Sequence, residues 1–271
     1  MNRTAVQNNV RKLYHYEKFN QAYLTTTLSA HKVHCSDPAA LNDPWDCRPW
    51  FDENALEEPG VLEDFIQWIF SFAPTSPVSE VEVRATQAEM RRNPEYRRGI
   101  LNRFSANFLK MVPVRWRIYC VTPVPDSTLM WSHYADNHRG VCLEFGIDDN
   151  PLFGSAREVD YRSAYPKWTP HTVADVGVQM LLTKSADWSY EHEYRVFGLG
   201  EGVNRPFNAD PLIAHGGFLS LPRGAIKAVI TGCEADYQQI AQVVRCVAPD
   251  VKIKRAARSP SHYRLEIIDC A

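Results

Sequence analysis

The stretch WSYEHEYRVFG, residues 188–198, places Glu191, Glu193 and Arg195 at alternate positions of a β-prone run. Successive side chains of a strand point to opposite faces, so this spacing predicts that the three charged groups stand in one row. Two neighbouring carboxylates repel each other, which raises the pKa of one, while an adjacent guanidinium lowers the pKa of the other. Such a row is typical of a solvated ion-pair ladder, and it also suits general-base or ribose-binding chemistry.

The composition predicts a globular protein that folds as a single domain over residues 1–271. The chain has 271 residues, of which 45% are hydrophobic, and this is enough to bury a large core. The 30 Lys and Arg residues nearly balance the 32 Asp and Glu residues, for a formal net charge of -2. No overall positive charge therefore attracts nucleic acid or an anionic membrane, and any such affinity must come from a local patch.

The cysteines and the N-terminus predict a cytoplasmic protein without a membrane span. The seven cysteines are scattered and form no C-x-x-C pair, which favours reduced thiols over a disulfide framework. The opening residues lack the apolar core of a signal peptide, and the run VLEDFIQWIFSFAP at 61–74 is too short and too acidic to cross a bilayer. An effector exported by a specialised secretion machine would show the same features, so the prediction concerns the compartment where the chain folds.

The order of the predicted elements indicates a mixed α+β fold. Short β-prone runs, such as KLYHY at 12–16 and GVCLEFGI at 140–147, alternate with helical runs such as ADYQQIAQVVRCVA at 235–248. Between residues 53 and 118 the pattern becomes helical. We interpret residues 53–118 as a helical insertion within the single domain.

A predicted helix at residues 126–140, DSTLMWSHYADNHRG, carries several polar aromatic side chains. Helical spacing puts Trp131, Tyr134 and His138 on one stripe, and His133 stands next to it. An apolar and aromatic stripe usually packs in a core. Three polar aromatic residues in six positions also suit a stacking platform for a nucleotide or nicotinamide ring.

The turn LNDPWD, residues 41–46, supplies a second set of polar side chains. Asn42 and Asp43 precede a proline, and the side chains of such turns usually cap backbone donors. The functional alternative is a loop that closes over the edge of a substrate near the two glutamates. We expect no metal site, because His31 and His34 would face opposite sides of a strand and no second Cys/His pair has finger-like spacing.

Five blocks of the sequence, in this order, resemble a bacterial family known as a domain of unknown function. The family pattern is L-Y-x-Y, N-D-P, M-W-x-H-Y-x-x-x-H-x-G and W-x-x-E-x-E-x-R. The resemblance covers most of the chain outside 53–118 and part of 199–218. The blocks are LYHY at 13–16, LNDPWD at 41–46, MWSHYADNHRGVCLEF at 130–145, LLTKSADWSYEHEYR at 181–195 and AIKAVITG at 225–232.

At a coarser level the layout resembles that of the ADP-ribosyltransferases, which split NAD across a curved β-core. The resemblance implies a mixed, curved β-core, NAD as substrate, and an unknown protein or nucleic-acid acceptor, as in toxins and phage-defence effectors. It implies catalytic roles for Glu193, which would hold the ribose, for Glu191, which would activate the acceptor, and for Tyr134, which would stack on nicotinamide. The implied substrate-binding residues are His15, Tyr16, Asn42, Asp43, Trp131, His133, His138, Lys184 and Arg195, of which the last two would meet phosphate or fix the glutamates.

Two alternatives remain open at this point. In the first, Asp43, Asp46, Glu191 and Glu193 gather a divalent metal in a nuclease or hydrolase. In the second, a non-enzymatic module binds a ligand or partner in an aromatic and polar cleft, and the charged row serves only structure. Release of nicotinamide from NAD separates the transferase from both alternatives.

Overall fold

A computed structural model describes residues 2–71, 79–148, 150–169, 178–200 and 212–270. Helices and several β-sheets alternate along the chain, which confirms the predicted α+β class. In chain order the elements are β1 Lys12–Glu17, α1 Gln21–Ala30, β2 Lys32–His34, β3 Trp50–Phe51, α2 Pro59–Ser71, α3 Glu80–Arg92, α4 Pro94–Arg115, β4 Trp116–Val121, α5 Thr128–Tyr134, β5 Val141–Gly146, α6 Pro151–Gly154, β6 Arg157–Glu158, β7 Asp160–Arg162, β8 Lys167–Trp168, β9 Thr183–Ser185, β10 Tyr194–Leu199, β11 Leu212–Ile213, β12 Phe218–Ser220, β13 Ile226–Thr231, α7 Tyr237–Val247, β14 Lys252–Arg258 and β15 Leu265–Asp269.

Two sheets meet beside the predicted site. The larger has five strands in the order β1-β5-β13-β14-β15, and the smaller contains β11, β10 and β4, with β6 also paired to β10. One backbone bridge joins them: the N–H of Tyr14 donates to the carbonyl of Thr122 at 2.7 Å, and the N–H of Thr122 donates back at 2.9 Å. Among the described residues, β1 pairs with β5 and β4 pairs with β10, and the two strands are not paired with each other beyond this bridge. Side chains can therefore lie between them.

Both faces of the five-stranded sheet are buried around β5, because its alternate residues enter different cores. Val141, Leu143 and Phe145 belong to the main cluster, which includes apolar side chains of α1 and α7. On the opposite face Cys142 joins a smaller cluster with Trp131 of α5. Helix α5 is thereby held against the sheet, and its last turn is fixed in position.

The helices α2, α3 and α4 agree with the helical interpretation of residues 53–118. Their apolar side chains form a separate cluster, which also includes Phe51 and Met180 from outside this segment. The boundaries of the single domain and of the insertion stay predictions. No helix in the described ranges has the length and apolar character needed to cross a membrane.

The strand row predicted for residues 191–195 is wrong in its geometry. Residues Ala186–Glu191 form a 3-10 helix, His192 adopts the left-handed conformation with φ 45°, and β10 begins only at Tyr194. A left-handed residue turns the chain sharply. Glu191 and Glu193 therefore approach each other from two different backbone conformations and not from one strand face.

The predicted helix at 126–140 is shorter than its sequence pattern indicates. Ser127 caps it, since its side chain accepts a hydrogen bond from the N–H of Met130, and the helix ends at Tyr134. Residues Asp136, Asn137 and His138 all have positive φ. His138 therefore lies in the turn after α5, and the expectation that it continues the helical stripe is wrong.

Candidate functional site

Five charged side chains form a buried cluster: Asp46, Lys184, Glu191, Glu193 and Arg195. Their exposure ranges from 0% for Arg195 to 6% for Lys184. Removing charges from water is unfavourable by several kcal/mol per ion, so each must find a partner of opposite charge. Here three carboxylates meet two cations, so the fully ionised cluster carries a net charge of −1.

Arg195 is the centre of this cluster. Its Nε and one terminal nitrogen donate to the two oxygens of Glu193 at 2.8 and 3.0 Å, and its terminal nitrogens donate to Asp46 at 2.9 and 2.5 Å. Burial opposes its charge, but Glu193 and Asp46 outweigh this effect and hold the pKa of Arg195 well above its ordinary value. Arg195 is therefore fixed between Glu193 and Asp46, the last residue of the LNDPWD turn.

Lys184 bridges the two glutamates. Its Nζ donates to Glu191 Oε2 at 2.6 Å and to Glu193 Oε2 at 3.1 Å. Burial opposes the ammonium charge, but Glu193 and Glu191 outweigh it and raise the pKa of Lys184. Lys184 and Arg195 both contact glutamates in this structure, and a role in phosphate contact stays a prediction.

The two glutamates have pKa shifts of opposite sign. Burial raises the pKa of Glu191, and the nearby charge of Glu193 raises it further. For Glu193, burial acts in the same direction, but the cations Arg195 and Lys184 outweigh it and lower the pKa. Opposite shifts within one carboxylate pair were predicted from the sequence and are confirmed. Within the pair, Glu191 is therefore the carboxyl with the higher affinity for a proton.

Tyr134, the last residue of α5, connects this cluster to the LNDPWD turn. Its hydroxyl donates to Glu191 Oε1 at 2.5 Å and accepts from the amide of Asn42 at 3.2 Å. Burial and the charge of Glu191 raise the pKa of Tyr134, so the hydroxyl keeps its proton. Thr122 fixes the backbone of the same residue, since its hydroxyl donates to the carbonyl of Glu191 at 2.6 Å. We call the cavity in front of these groups the glutamate pocket.

The glutamate pocket has a volume of about 80 Å³ and lies where β1 and β4 separate. His15 lines it from β1; its Nδ1 is 2.7 Å from the carbonyl of Cys120, and its ring stacks on Tyr119 at 4.3 Å. Burial lowers the pKa of His15 to about 4, so the ring is neutral at physiological pH. A neutral ring that donates through Nδ1 offers Nε2 as an acceptor. Other lining residues include Tyr14, Tyr16, Asn42, Cys120, Tyr134, Lys184, Glu191 and Glu193.

Three predicted binding residues form hydrogen bonds to the backbone with their polar atoms. Trp131 is fully buried, and its Nε1 donates to the carbonyl of Pro125 at 2.9 Å. Tyr16 lines the pocket, but its hydroxyl donates to the carbonyl of Val124 at 2.7 Å. Asp43 is buried and accepts from the N–H of Trp45 at 2.9 Å.

The two histidines of the HYADNH segment lie outside the lining of the glutamate pocket. His133 is exposed and packs beside Trp188 and Tyr190, with ring centroids 6.3 and 6.4 Å away. His138 follows α5 in the turn described above, where burial lowers its pKa. The structure thus brings together Glu191, Glu193, Tyr134, Asn42, His15, Lys184 and Arg195, and not the two histidines or Trp131.

Sequence reasoning missed several residues that shape the site. Cys120 lies on β4, which the sequence indicated only as a strand, and Thr122 follows the end of that strand; a hydrogen bond from Cys120 contributes to the lowered pKa of Glu193. Tyr161 accepts a hydrogen bond from the N–H of Glu193 at 2.8 Å. Asp46 entered only as a possible metal ligand. Its position two residues after a proline in an acidic turn was the available signal.

In the part of the chain that the structure describes, no group of three or more His, Cys, Asp or Glu side chains is arranged to hold a metal ion. The carboxylates of Asp46, Glu191 and Glu193 instead contact Lys184 and Arg195 at 2.5–3.1 Å.

A family model described as "Protein of unknown function (DUF2971)" matches residues 130–196. This range begins in α5 and ends in β10, so it contains Tyr134, Lys184, both glutamates and Arg195. Searches among curated proteins and among solved structures find no match. The matched segment is similar to a family without an assigned activity, and the function has to be argued from the site itself.

Proposed function

We propose that the protein is an NAD-consuming enzyme of the ADP-ribosyltransferase type that modifies a protein or nucleic-acid acceptor. The observation that carries this proposal is the excess of one carboxylate over the cations in a buried cluster beside a pocket. When nicotinamide leaves NAD as a neutral molecule, positive charge develops on the ribosyl carbon. An uncompensated carboxylate in a site shielded from water stabilises that charge more strongly than solvent does.

The hydrogen bonds favour Glu191 as the carboxylate that meets the substrate. The oxygens of Glu193 accept three hydrogen bonds from Arg195 and Lys184. Among the described residues Glu191 accepts one at each oxygen, from Tyr134 and from Lys184, so each oxygen keeps a lone pair for a ligand. This assignment exchanges the roles implied by the family resemblance: Glu193 organises the cations and Glu191 performs the chemistry.

Glu191 also suits the second half of the reaction. As the bond between nicotinamide and the ribosyl carbon breaks, its electron pair leaves with nicotinamide, and the acceptor nucleophile forms the new bond to the same carbon. The proton of the nucleophile passes to the carboxylate of Glu191, whose raised pKa makes it a better proton acceptor once ionised. Tyr134 holds the glutamate in the orientation for this transfer.

The lining of the glutamate pocket suits the nicotinamide end of NAD. Tyr134 offers an aromatic ring, Asn42 an amide, and His15 a neutral acceptor nitrogen, which together match a carboxamide ring and ribose hydroxyls. The rest of the dinucleotide would lie outside this pocket of about 80 Å³.

The test measures release of nicotinamide from NAD by the full-length protein, with and without protein and nucleic-acid extracts as acceptors. Glu191→Gln removes the charge but keeps the shape, and we expect it to lower the rate by roughly two to three orders of magnitude. Glu234→Gln, at a glutamate outside the lining of the glutamate pocket, is the matched control and should keep full activity. Wild-type protein that releases no nicotinamide with any acceptor contradicts the proposal.

A further inference from the structure

A second pocket, of about 240 Å³, adjoins the glutamate pocket and shares only Lys184 with its lining. One wall is the end of the LNDPWD turn and the residues after it, with Trp45 and Arg48. Another wall is the segment 162–168, which contributes Arg162, Tyr165 and Trp168. Aromatic rings and guanidinium groups therefore surround a space about three times as large as the glutamate pocket. We call it the tryptophan pocket.

Trp45 is held in an exposed position by buried neighbours. Its side chain is 62% exposed, whereas Asp46 and Cys47 directly after it are buried. The N–H of Trp45 donates to Asp43 at 2.9 Å, and Asp46 is bound by Arg195 in the core. Exposing so large an apolar surface is unfavourable by the hydrophobic effect. A turn anchored on both sides thus presents this ring from a backbone that has little conformational freedom left to lose on binding.

Arg48 supplies positive charge to the same pocket. Among the described residues its guanidinium contacts the carbonyl of Ala39 at 3.5 Å, which leaves most of its donors available. Arg162 differs, because it is paired with Asp160 at 2.7 Å. Guanidinium groups with uncommitted donors bind phosphate through two parallel hydrogen bonds. The pocket therefore combines a stacking surface with a site for an anion.

We propose that the tryptophan pocket binds a nucleotide, with the base stacked on Trp45 and the phosphate held by Arg48. Aromatic side chains accept any nucleobase because every base presents a flat π-face, and an arginine adds the affinity for phosphate. The same chemistry is carried by a free nucleotide and by a nucleotide within a single strand. This site goes beyond the proposed function, and its occupancy does not require cleavage of NAD.

Calorimetric titration of the full-length protein with AMP, GMP, CMP and UMP tests the proposal, with adenosine and inorganic phosphate as partial probes. We expect Trp45→Ala to weaken binding of the best nucleotide and of adenosine by roughly tenfold or more. Arg48→Ala should weaken binding of the nucleotide and leave adenosine unaffected. Trp50→Ala, at an exposed tryptophan outside this pocket, is the control and should bind as the wild type does.

The source of the nucleotide follows from a second titration with a short single-stranded adenine oligonucleotide. Tighter binding than AMP, lost in Trp45→Ala, identifies a nucleic-acid strand; equal affinity per site identifies the free nucleotide. The proposal is overturned if wild-type protein binds all of these probes more weakly than about 1 mM. It is equally overturned if Trp45→Ala binds them as the wild type does. Both outcomes are independent of nicotinamide release, which tests the glutamate pocket separately.

Discussion

Two buried glutamates in this protein, Glu144 and Glu191, contact lysines at similar distances, and yet their pKa values are shifted in opposite directions. Glu144 on β5 accepts hydrogen bonds from Lys12 and Lys254, both at 2.7 Å. Burial raises its pKa, but the two lysines outweigh this and lower it overall. Glu191 has one lysine, at 2.6 Å, which it shares with a second carboxylate, and its pKa is raised.

The difference shows that burial alone does not decide whether the pKa of a carboxylate is raised. The number of cations per carboxylate decides whether the charge is compensated. Two lysines contact Glu144, one of which is also 3.7 Å from the exposed Asp269, whereas three carboxylates share two cations in the cluster of Glu191. Access to water differs as well, since the side chain of Lys12 is 48% exposed and that of Lys184 only 4%. Uncompensated charge away from water is a property of functional sites more often than of structural ion pairs.

The largest effect on stability is expected for Arg195→Ala. This change leaves Asp46 and Glu193 buried without their main partner, and we expect the free energy of unfolding to fall by about 3–5 kcal/mol. Urea denaturation measures it. Arg11→Ala, which breaks an exposed pair with Asp148, is the control and should change stability little. Equal losses in the two variants would show that the buried cluster is not a stabilising unit.

The two glutamates of the cluster should respond differently to replacement by glutamine. Glu193→Gln leaves Arg195 and Lys184 with less compensation, and we expect a loss of about 2–3 kcal/mol. Glu191→Gln removes the excess negative charge, so the melting temperature should stay the same or rise while nicotinamide release is lost. The reverse pattern, a stable Glu193→Gln and an unstable Glu191→Gln, would contradict the division of roles.

Glu144→Gln tests the other side of the comparison. Its lysine Lys12 can regain water when the carboxylate is lost, so the expected decrease in unfolding free energy is about 1–2 kcal/mol, smaller than for Glu193→Gln. Nicotinamide release should be unchanged. If Glu144→Gln were inactive and normally folded, the functional assignment of the Glu191 cluster would lose its main contrast.

The pH dependence of stability should have opposite signs for Glu191 and Glu144. A carboxyl whose pKa is raised on folding binds protons more tightly in the folded state, so Glu191 becomes destabilising as pH rises from the ordinary carboxyl pKa through the raised value. Glu144, with a lowered pKa, contributes stability above the ordinary value and loses it as pH falls through the lowered one. Denaturation of the wild type, Glu191→Gln and Glu144→Gln across pH measures both differences.

The smallest loss of stability is expected for Tyr134→Phe, which removes the hydrogen bond to Glu191 Oε1. Stability should fall by about 1 kcal/mol. That hydrogen bond lowers the pKa of Glu191, so its loss should raise the pKa further and shift the acidic limb of the activity profile to higher pH. Tyr263→Phe, at the surface, is the control. An unshifted profile in Tyr134→Phe would mean that Glu191 does not set the acidic limb.

The fold class and most strands of the large sheet could be predicted because their signals are local. KLYHY corresponds to β1 and GVCLEFGI to β5, and both show the spacing of buried strands. The close approach of Glu191, Glu193 and Arg195 was also predictable, although for an incorrect reason. No local pattern marks His192 as left-handed, and this residue determines how the two glutamates meet.

The rest of the site depends on contacts that no local pattern encodes. Thr122 and Tyr161 form hydrogen bonds with the backbone of the two glutamates from segments that are far away in the sequence. Nothing in those segments indicates a functional role. The shortening of α5 to Tyr134 has a similar origin, since the residues that follow adopt positive φ where helical periodicity continues in the sequence. Periodicity predicts elements; it does not predict which side chains they bring together.

The contact between Asp46 and Arg195 has a consequence for the way the molecule is made, because it joins positions 149 residues apart. Contacts at such separation form late, after the entropy of closing a long loop has been overcome. A chain emerging from the ribosome holds Asp46 and Tyr134 long before it holds Glu193 and Arg195. The complete cluster of five charges next to the glutamate pocket exists only once most of the chain has been synthesised and folded, so no fragment that ends before residue 195 can form it.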